Sequence, residues 1–344
     1  MPSKPVQVTL DFVDKIHQGN VDGLAALLAP DHAFMDLAGE VETGKQNLAA
    51  AWGDYLSTYP NYHIYIRQLF ENENDVILIG HTTGSHLDLP DEEEFHDEAV
   101  IWVATVEDGL LSAWKLYNDT VETQLQLNLA DAGEVFAPAQ MAATIAKHLD
   151  LLPSGVRTND VRNVRKYYSR LYRAAPPETM VSIAEHLYFD QGYWFVPYEL
   201  IHFHDGAIAS LTPAQVESLG RNLHDWASTD VFSQNIAGPA WKQGVIDDAL
   251  VESWIESPVI WWRRAAVVST IYSGDDPERM LRFSEMLLDD KEDLIVKALS
   301  WVLRRAIRYD RAGVVQFLAE HDDRLAARIK REVRNKLETG LKNP

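Results

Sequence analysis

The sequence predicts two domains of different class: an α+β domain built on a curved antiparallel sheet, then an all-α array of paired helices. Three observations carry this. Charge is unevenly divided: residues 1–136 hold 5 Lys/Arg against 24 Asp/Glu, a net of −19, whereas residues 137–344 hold 26 against 28, a net of −2. Four runs with period-2 alternation crowd between residues 62 and 122, the pattern of half-buried strands. From residue 158 onward the apolar spacing is helical throughout, in pairs recurring every 35–45 residues.

Composition narrows the class further. With 344 residues, 46% hydrophobic and 10% aromatic, the chain has ample core, and disorder is excluded. The absence of Cys excludes a disulfide framework, a thiolate metal site and a cysteine nucleophile. The opening "MPSKPVQVTLDFVDK" lacks the apolar run of a signal peptide, and no 18-residue apolar stretch is present. A soluble, cytoplasmic protein without a membrane partner is expected.

Phe12, Ile16 and Leu24, with Leu27 and Leu28, outline an amphipathic helical pair broken near Gly19–Asn20. "HAFMDL" reads as a short strand and Gly44 to Tyr59 as a helix. Four strand-like runs follow: "YHIYIRQLF", "DVILIGHTTGSHLD", "FHDEAVIWVATVED" and "LLSAWKLYNDTVE", with turns at Glu71–Asp75 and Glu107–Gly109. Helices, strand, helix and a four-strand meander predict a sheet packed on helices.

That order, the Phe34–Lys45 segment and the closing "AWKLYND" resemble the NTF2-like superfamily, nearest its SnoaL-like branch, over about residues 5–125. The resemblance implies a cone whose mouth holds a small molecule or supports a homodimer. Its pocket would draw on Asp36, Trp52, His96, Trp114, Tyr117 and Asp119, the last where the cyclase branch has its catalytic carboxylate. The plainer reading of the same residues is core for the aromatics and solvated strand ends for the acids. His81, His86 and His96 with Asp97 lie on different strands without ligand spacing, so neither metal nor cofactor is expected.

Residues 129–140 are small and polar, and read as a linker between domains at 1–128 and 141–344. Beyond it, helices begin at Thr212–Pro213, where Gln215 completes a capping box, at Ser257–Pro258 and at Asp276–Pro277. Segments pair as 158–173 with 177–190, 194–204 with 212–228, 242–256 with 258–273, 277–289 with 291–307, and 311–320 with 323–339. This is a HEAT-like solenoid signal, an architecture that offers a concave face to an extended partner. "HFHD", His202 to Asp205, invites a metal reading, but on a helix its two His residues point to different sides, so it reads as structural.

The chemistry concentrates on three helical segments. Between Asp290 and Tyr309, Ile295, Leu299, Val302 and Ala306 step by 4, 3 and 4 along one face. Lys297, Trp301, Arg304 and Arg308 keep that rhythm two residues out of phase, a rotation of roughly 200° onto the opposite face. An aromatic ring among cations suits a polyanion with sugar or base faces to stack on. Trp261, Trp262, Arg263 and Arg264 cluster at another helix start, and Trp226 and Asp230 are neighbours four residues apart. Each alone is an ordinary helix contact or solvated charge; together they form a constellation.

"SGVRTNDVRNVRK", "HDWASTDVFS", "VIWWRRAAVV" and "KALSWVLRRA", in this order, resemble the AlkD-like DNA alkylation repair glycosylases, over roughly residues 141–340. The resemblance implies that Asp230, Trp226 and Trp301 are catalytic. It implies DNA contacts from Arg264 and Arg304, with Arg263, Arg305, Arg308 and Lys297 beside them. Where the family has Asp after the first Trp and an apolar residue before the catalytic Asp, this chain has Ala227 and Thr229. The implied activity is monofunctional hydrolysis of the N-glycosidic bond of N3- or N7-alkylated purines, bulky adducts included, in duplex DNA. It leaves an abasic site, and the protein would be nucleoid-associated when bound. Two other classes compete: a non-catalytic DNA-structure binder, and an NTF2-type small-molecule or cyclase-like protein with the helices as scaffold.

Overall fold

A computed structural model describes residues 3–155 and 157–344. They fall into two compact units, one reaching to Val164 and the other comprising Arg165–Pro344.

The first unit opens with α1 (Lys4–His17), N-capped by Ser3 and carrying a proline in its first turn, and α2 (Val21–Leu27), capped by Asn20. β1 (Leu28–Met35) pairs with β2 (Val41–Thr43), and α3 (Lys45–Thr58) follows. The meander consists of β3 (His63–Asn72), β4 (Asp75–Thr83), β5 (Val100–Glu107) and β6 (Leu110–Asn118). A short α4 (Asp91–Phe95) sits between β4 and β5. α5 (Val121–Gln126), β7 (Gly133–Val135) and α6 (Pro138–Asp150) complete the unit's named elements up to residue 150. The strand order is β2-β1-β6-β5-β4-β3-β7. Alternation makes both faces apolar: Leu69, Leu78, Trp102 and Trp114 join the helices in one core, and Ile77, Ile79, Ile101 and Val103 form a second.

Two expectations need correction. The meander is antiparallel, but β1 lies parallel to β6, so the sheet is mixed. The three reversals from β3 to β6 set the direction of β6, and β1 reaches its side independently, after the helical pair. Residues 129–140 are also no free linker, and the boundary at 128/141 is displaced to Val164. β7 pairs with the edge of β3, and α6 packs on that strand, with Thr144 Oγ1 donating to the Ile66 carbonyl at 2.8 Å. A small polar segment can still close a sheet edge, because edge pairing needs backbone groups more than side chains.

The second unit is helical among its described residues. After α7 (Thr158–Leu171) come α8 (Pro177–Phe189), α9 (Phe195–His202), α10 (Ala207–Ser210), α11 (Pro213–Gly220), α12 (Trp226–Phe232) and α13 (Gly238–Lys242). Then follow α14 (Asp248–Ile255), α15 (Ile260–Ser269), α16 (Pro277–Met286), α17 (Asp293–Ala306), α18 (Arg311–Glu320) and α19 (Ala327–Thr339). The Thr212 capping box with Gln215 and the Asp276 cap are present. Ser257 does not cap: its Oγ accepts from Val259 N at 3.2 Å, and the helix starts at Ile260. The expected helix 212–228 is split, because Asp225 and Ser228 form a second capping box that starts α12 at Trp226. Ile295, Leu299, Val302 and Ala306 are fully buried in one core, as their spacing requires.

Candidate active site

The site begins with that second capping box. Trp226 is the first residue of α12, and its indole is 59% exposed; among the described residues it is the one tryptophan so placed. Asp230 follows one turn later. Thr229 is buried, and its hydroxyl donates to the Asp225 carbonyl at 2.7 Å. A polar residue before Asp230 is therefore satisfied within its own helix. α12 continues through a π-turn at Ser233–Ala237 into α13, with right-handed helical backbone at both junctions. A Cβ on Gly238 would lie 2.4 Å from Tyr272 Cβ and 2.8 Å from the Ser233 carbonyl oxygen. Only glycine lets this turn close onto the end of α15.

Arg264, on α15 and 5% exposed, meets Asp230 with both arms of its fork. Nε donates to Oδ1 and Nη2 to Oδ2, each at 2.9 Å, while Nη1 donates to the Leu294 carbonyl of α17 at 2.6 Å. The bidentate geometry fixes the carboxylate's plane. The Asp230 side chain is 18% exposed. Burial pushes its carboxyl above the ordinary value, Arg264 opposes this, and the charge of Asp225 adds to the rise. Burial and the charge of Asp230 likewise raise the Tyr272 phenol, with Arg305 pulling it down. Tyr272 and the π-turn escaped the sequence reading. The usable signals were Tyr272 eight residues after Arg264, two turns along, and Gly238–Pro239 inside a helical run.

The expected phosphate role of Arg264 is therefore corrected, since its guanidinium is committed to Asp230 and Leu294. Arg263 is committed too, with Nε donating to Asp290 Oδ2 at 2.8 Å and Nη1 to the Ser257 carbonyl at 2.9 Å. Arg304 is half-buried, its Nε donating to the Ser300 carbonyl at 3.0 Å, with Glu332 at 3.9 Å. Lys297 is exposed in a surface pair with Asp293 at 2.6 Å, the kind of contact worth little in water. Arg305 and the exposed Arg308 lie over the Tyr309 ring at 5.4 and 5.9 Å. Trp301 is half-buried against the core around α17. Trp262 is a packing residue, 5.0 Å from the Trp254 ring and 6.0 Å from that of Phe232.

In the first unit the six expected pocket residues do not converge. Trp52 and Trp114 are buried around Phe12, at ring distances of 5.9 and 5.0 Å. Tyr117 packs on the other face of the sheet, since it lies an odd number of residues from Trp114. Asp36 closes a turn by accepting from Glu40 N at 2.9 Å. His96 Nδ1 bonds to the Glu92 carbonyl at 2.7 Å. Asp119 pairs with Arg67 at 3.1 Å and accepts from Gln124 at 2.6 Å. Arg67 sits at the register shift between Ile66 and Gln68, the kind of bulge that re-aims a side chain.

The DNA alkylation repair enzyme family matches residues 125–337, and the SnoaL-like domain family matches residues 10–114. No curated protein matches the chain. Among solved structures, an uncharacterized cystatin fold protein from Novosphingobium aromaticivorans is 18% identical, with 34% of this chain and 98% of that one covered and a TM-score of 0.29. An NTF2-like protein of unknown function from Cytophaga hutchinsonii is 15% identical, with 37% and 97% covered and a TM-score of 0.28.

Proposed function

The chain belongs to the DNA alkylation repair enzyme family, and from this premise we propose that its second unit is a monofunctional DNA glycosylase. Its substrates are N3- or N7-alkylated purines in duplex DNA, bulky adducts included, and its product is an abasic site. One observation carries the reading: an exposed indole stands one helical turn from a carboxylate whose plane is set by a guanidinium fork. On this reading the stacked helix pairs are HEAT-like, and duplex DNA is the partner.

Alkylation at N3 or N7 makes the purine cationic and weakens its bond to the sugar. The purine leaves with the bonding electron pair, as a neutral base, and the sugar becomes oxocarbenium-like. The Asp230 carboxylate stabilises that charge and orients the water that adds to the anomeric carbon; the water's proton passes to solvent. Preorganised groups of this kind contribute about 3–4 kcal/mol each. Trp226 and Trp301 offer ring faces to the electron-poor sugar, each worth about 0.5–2 kcal/mol. Arg264 acts through Asp230 and is a positioning residue. Lys297, Arg305 and Arg308 hold phosphates, which sets position without reading sequence. The cation bonded to Asp230 is an arginine, which forms no Schiff base, in keeping with simple hydrolysis.

The test is base release from duplexes carrying simple methylated and bulky purine adducts. Asp230→Asn is expected to slow release about 10²- to 10³-fold and to lower the melting temperature, because the buried Arg264 fork loses its counter-charge; undiminished release by the folded variant overturns the assignment. A second reading, a non-catalytic DNA-structure binder, is favoured by the engagement of both Asp230 oxygens with Arg264. It predicts duplex binding without release from any adduct.

A further inference from the structure

The "HFHD" run has no role in the glycosylase reading, and no group of three or more metal-ligating residues forms among the described residues. It does border a groove of 190 Å³ between α7 and the end of α9. On the groove wall Arg165 is 7% exposed, with Nε donating to Glu199 at 3.0 Å. Beside it Lys166, Arg170 and Arg173 are exposed and have no ion-pair partner among the described residues. Elsewhere in this unit arginines such as Arg263, Arg279, Arg324 and Arg328 are ion-paired. Lys166, Arg170 and Arg173 follow i, i+4, i+7, a row about 10 Å long.

Three further polar atoms in the groove lining lack partners: Ser169 Oγ and both ring nitrogens of His204 are buried without a hydrogen bond. Buried polar atoms are normally satisfied, and a hydroxyl and a neutral imidazole each carry both a donor and an acceptor, so the groove wall beneath the cations is polar. Phe203, at the groove's edge, is 54% exposed, with the Arg165 guanidinium 4.3 Å from its ring centroid. Asp205 is the one carboxylate lining the groove. A row of exposed cations beside an exposed aromatic ring matches phosphates that carry bases with free faces.

We propose that this groove binds a segment of single-stranded DNA. Its phosphates lie on Lys166, Arg170 and Arg173, and one unpaired base stacks on Phe203. A base inside a duplex is covered above and below, so only an unpaired one can use this ring. The proposal rests on reading the second unit as acting on DNA, but its observable is separate: affinity for a strand that carries no lesion.

The experiment uses the full chain and a fluorescein-labelled ten-nucleotide DNA strand, read by anisotropy, with RNA of the same sequence and inorganic phosphate as further arms. K166E/R170E is expected to weaken strand binding at least about tenfold and to reduce the salt slope by about 1 to 2. Phe203→Ala is expected to weaken it at least about fivefold. Base release from a blunt alkylated duplex and the melting temperature stay as in wild type. Absence of strand binding by wild type, indifference to these substitutions, preference for RNA, or full displacement by millimolar phosphate each overturns the proposal. Strand binding that survives in Asp230→Asn while base release persists there removes the glycosylase reading and leaves the groove.

Discussion

At the scale of single residues, the pair Asp230–Arg264 ties the proposed chemistry to stability. Removing the guanidinium leaves a carboxylate buried without its partner, so Arg264→Ala is expected to cost about 3–5 kcal/mol, read as a lower urea midpoint. Trp226 is the converse case, an indole largely in water that contributes little to the core. Trp226→Ala is expected to change stability by less than about 0.5 kcal/mol yet slow base release about 2- to 30-fold. A stability loss comparable to that of Arg264→Ala would show the indole to be packing. The asymmetry was only half legible in the sequence. Spacing placed Trp226 and Asp230 on one face, but an arginine that clasps a carboxylate and one that clasps a phosphate look alike in one dimension.

At the scale of elements, capping chemistry was the most readable signal. Asp276 and the Thr212–Gln215 box start helices where their residue types demand, and the alternating runs became the antiparallel meander. The start of α12 at Trp226 rests on the same chemistry, through Asp225 and Ser228. The π-turn is different, because its cause is a neighbouring helix. With Tyr272 Cβ at 2.4 Å from a hypothetical methyl, Gly238→Ala is expected to cost about 1–3 kcal/mol through overpacking. It should also lower base release, by shifting α12 and Asp230 against Arg264. Unchanged urea midpoint and rate would show that the approach of α13 to α15 is loose.

At the scale of the molecule, charge and histidines separate the halves. Residues 1–136 carry most of the net charge, and the first unit, with His148 on α6, holds a histidine-rich cluster. His17 stacks on His63 at 3.5 Å, and Phe95 is ringed by Tyr65, His81, His96 and His148. Burial, first of all, holds His17 at about 3 and His63, His81 and His148 at about 4. These values lie below the unfolded value, so the unfolded chain binds protons first. The stability they contribute is full above about pH 6.5 and is lost as pH falls toward 4. The raised carboxyls of Asp14 and Glu134 act in the opposite direction, at lower pH. The urea midpoint of the full chain is therefore expected to fall between pH 7 and pH 5, less steeply in His63→Phe. An equal slope in that variant would assign the acid sensitivity elsewhere.

Periodicity and caps act along the chain, through neighbours a few residues apart. The sequence by itself therefore determined the α+β and all-α classes, the meander, the helix faces and the residues of the Trp–Asp–Arg constellation. Contacts made by residues far apart in the chain were decided only by tertiary structure. β1 came to lie parallel to β6, the expected linker closed a sheet edge, and the six expected pocket residues of the first unit divided between the core around Phe12, the other sheet face and local polar partners. The partner of Arg264 was chosen in the same way, since burial leaves a guanidinium to the nearest carboxylate once helices 34 residues apart are packed together.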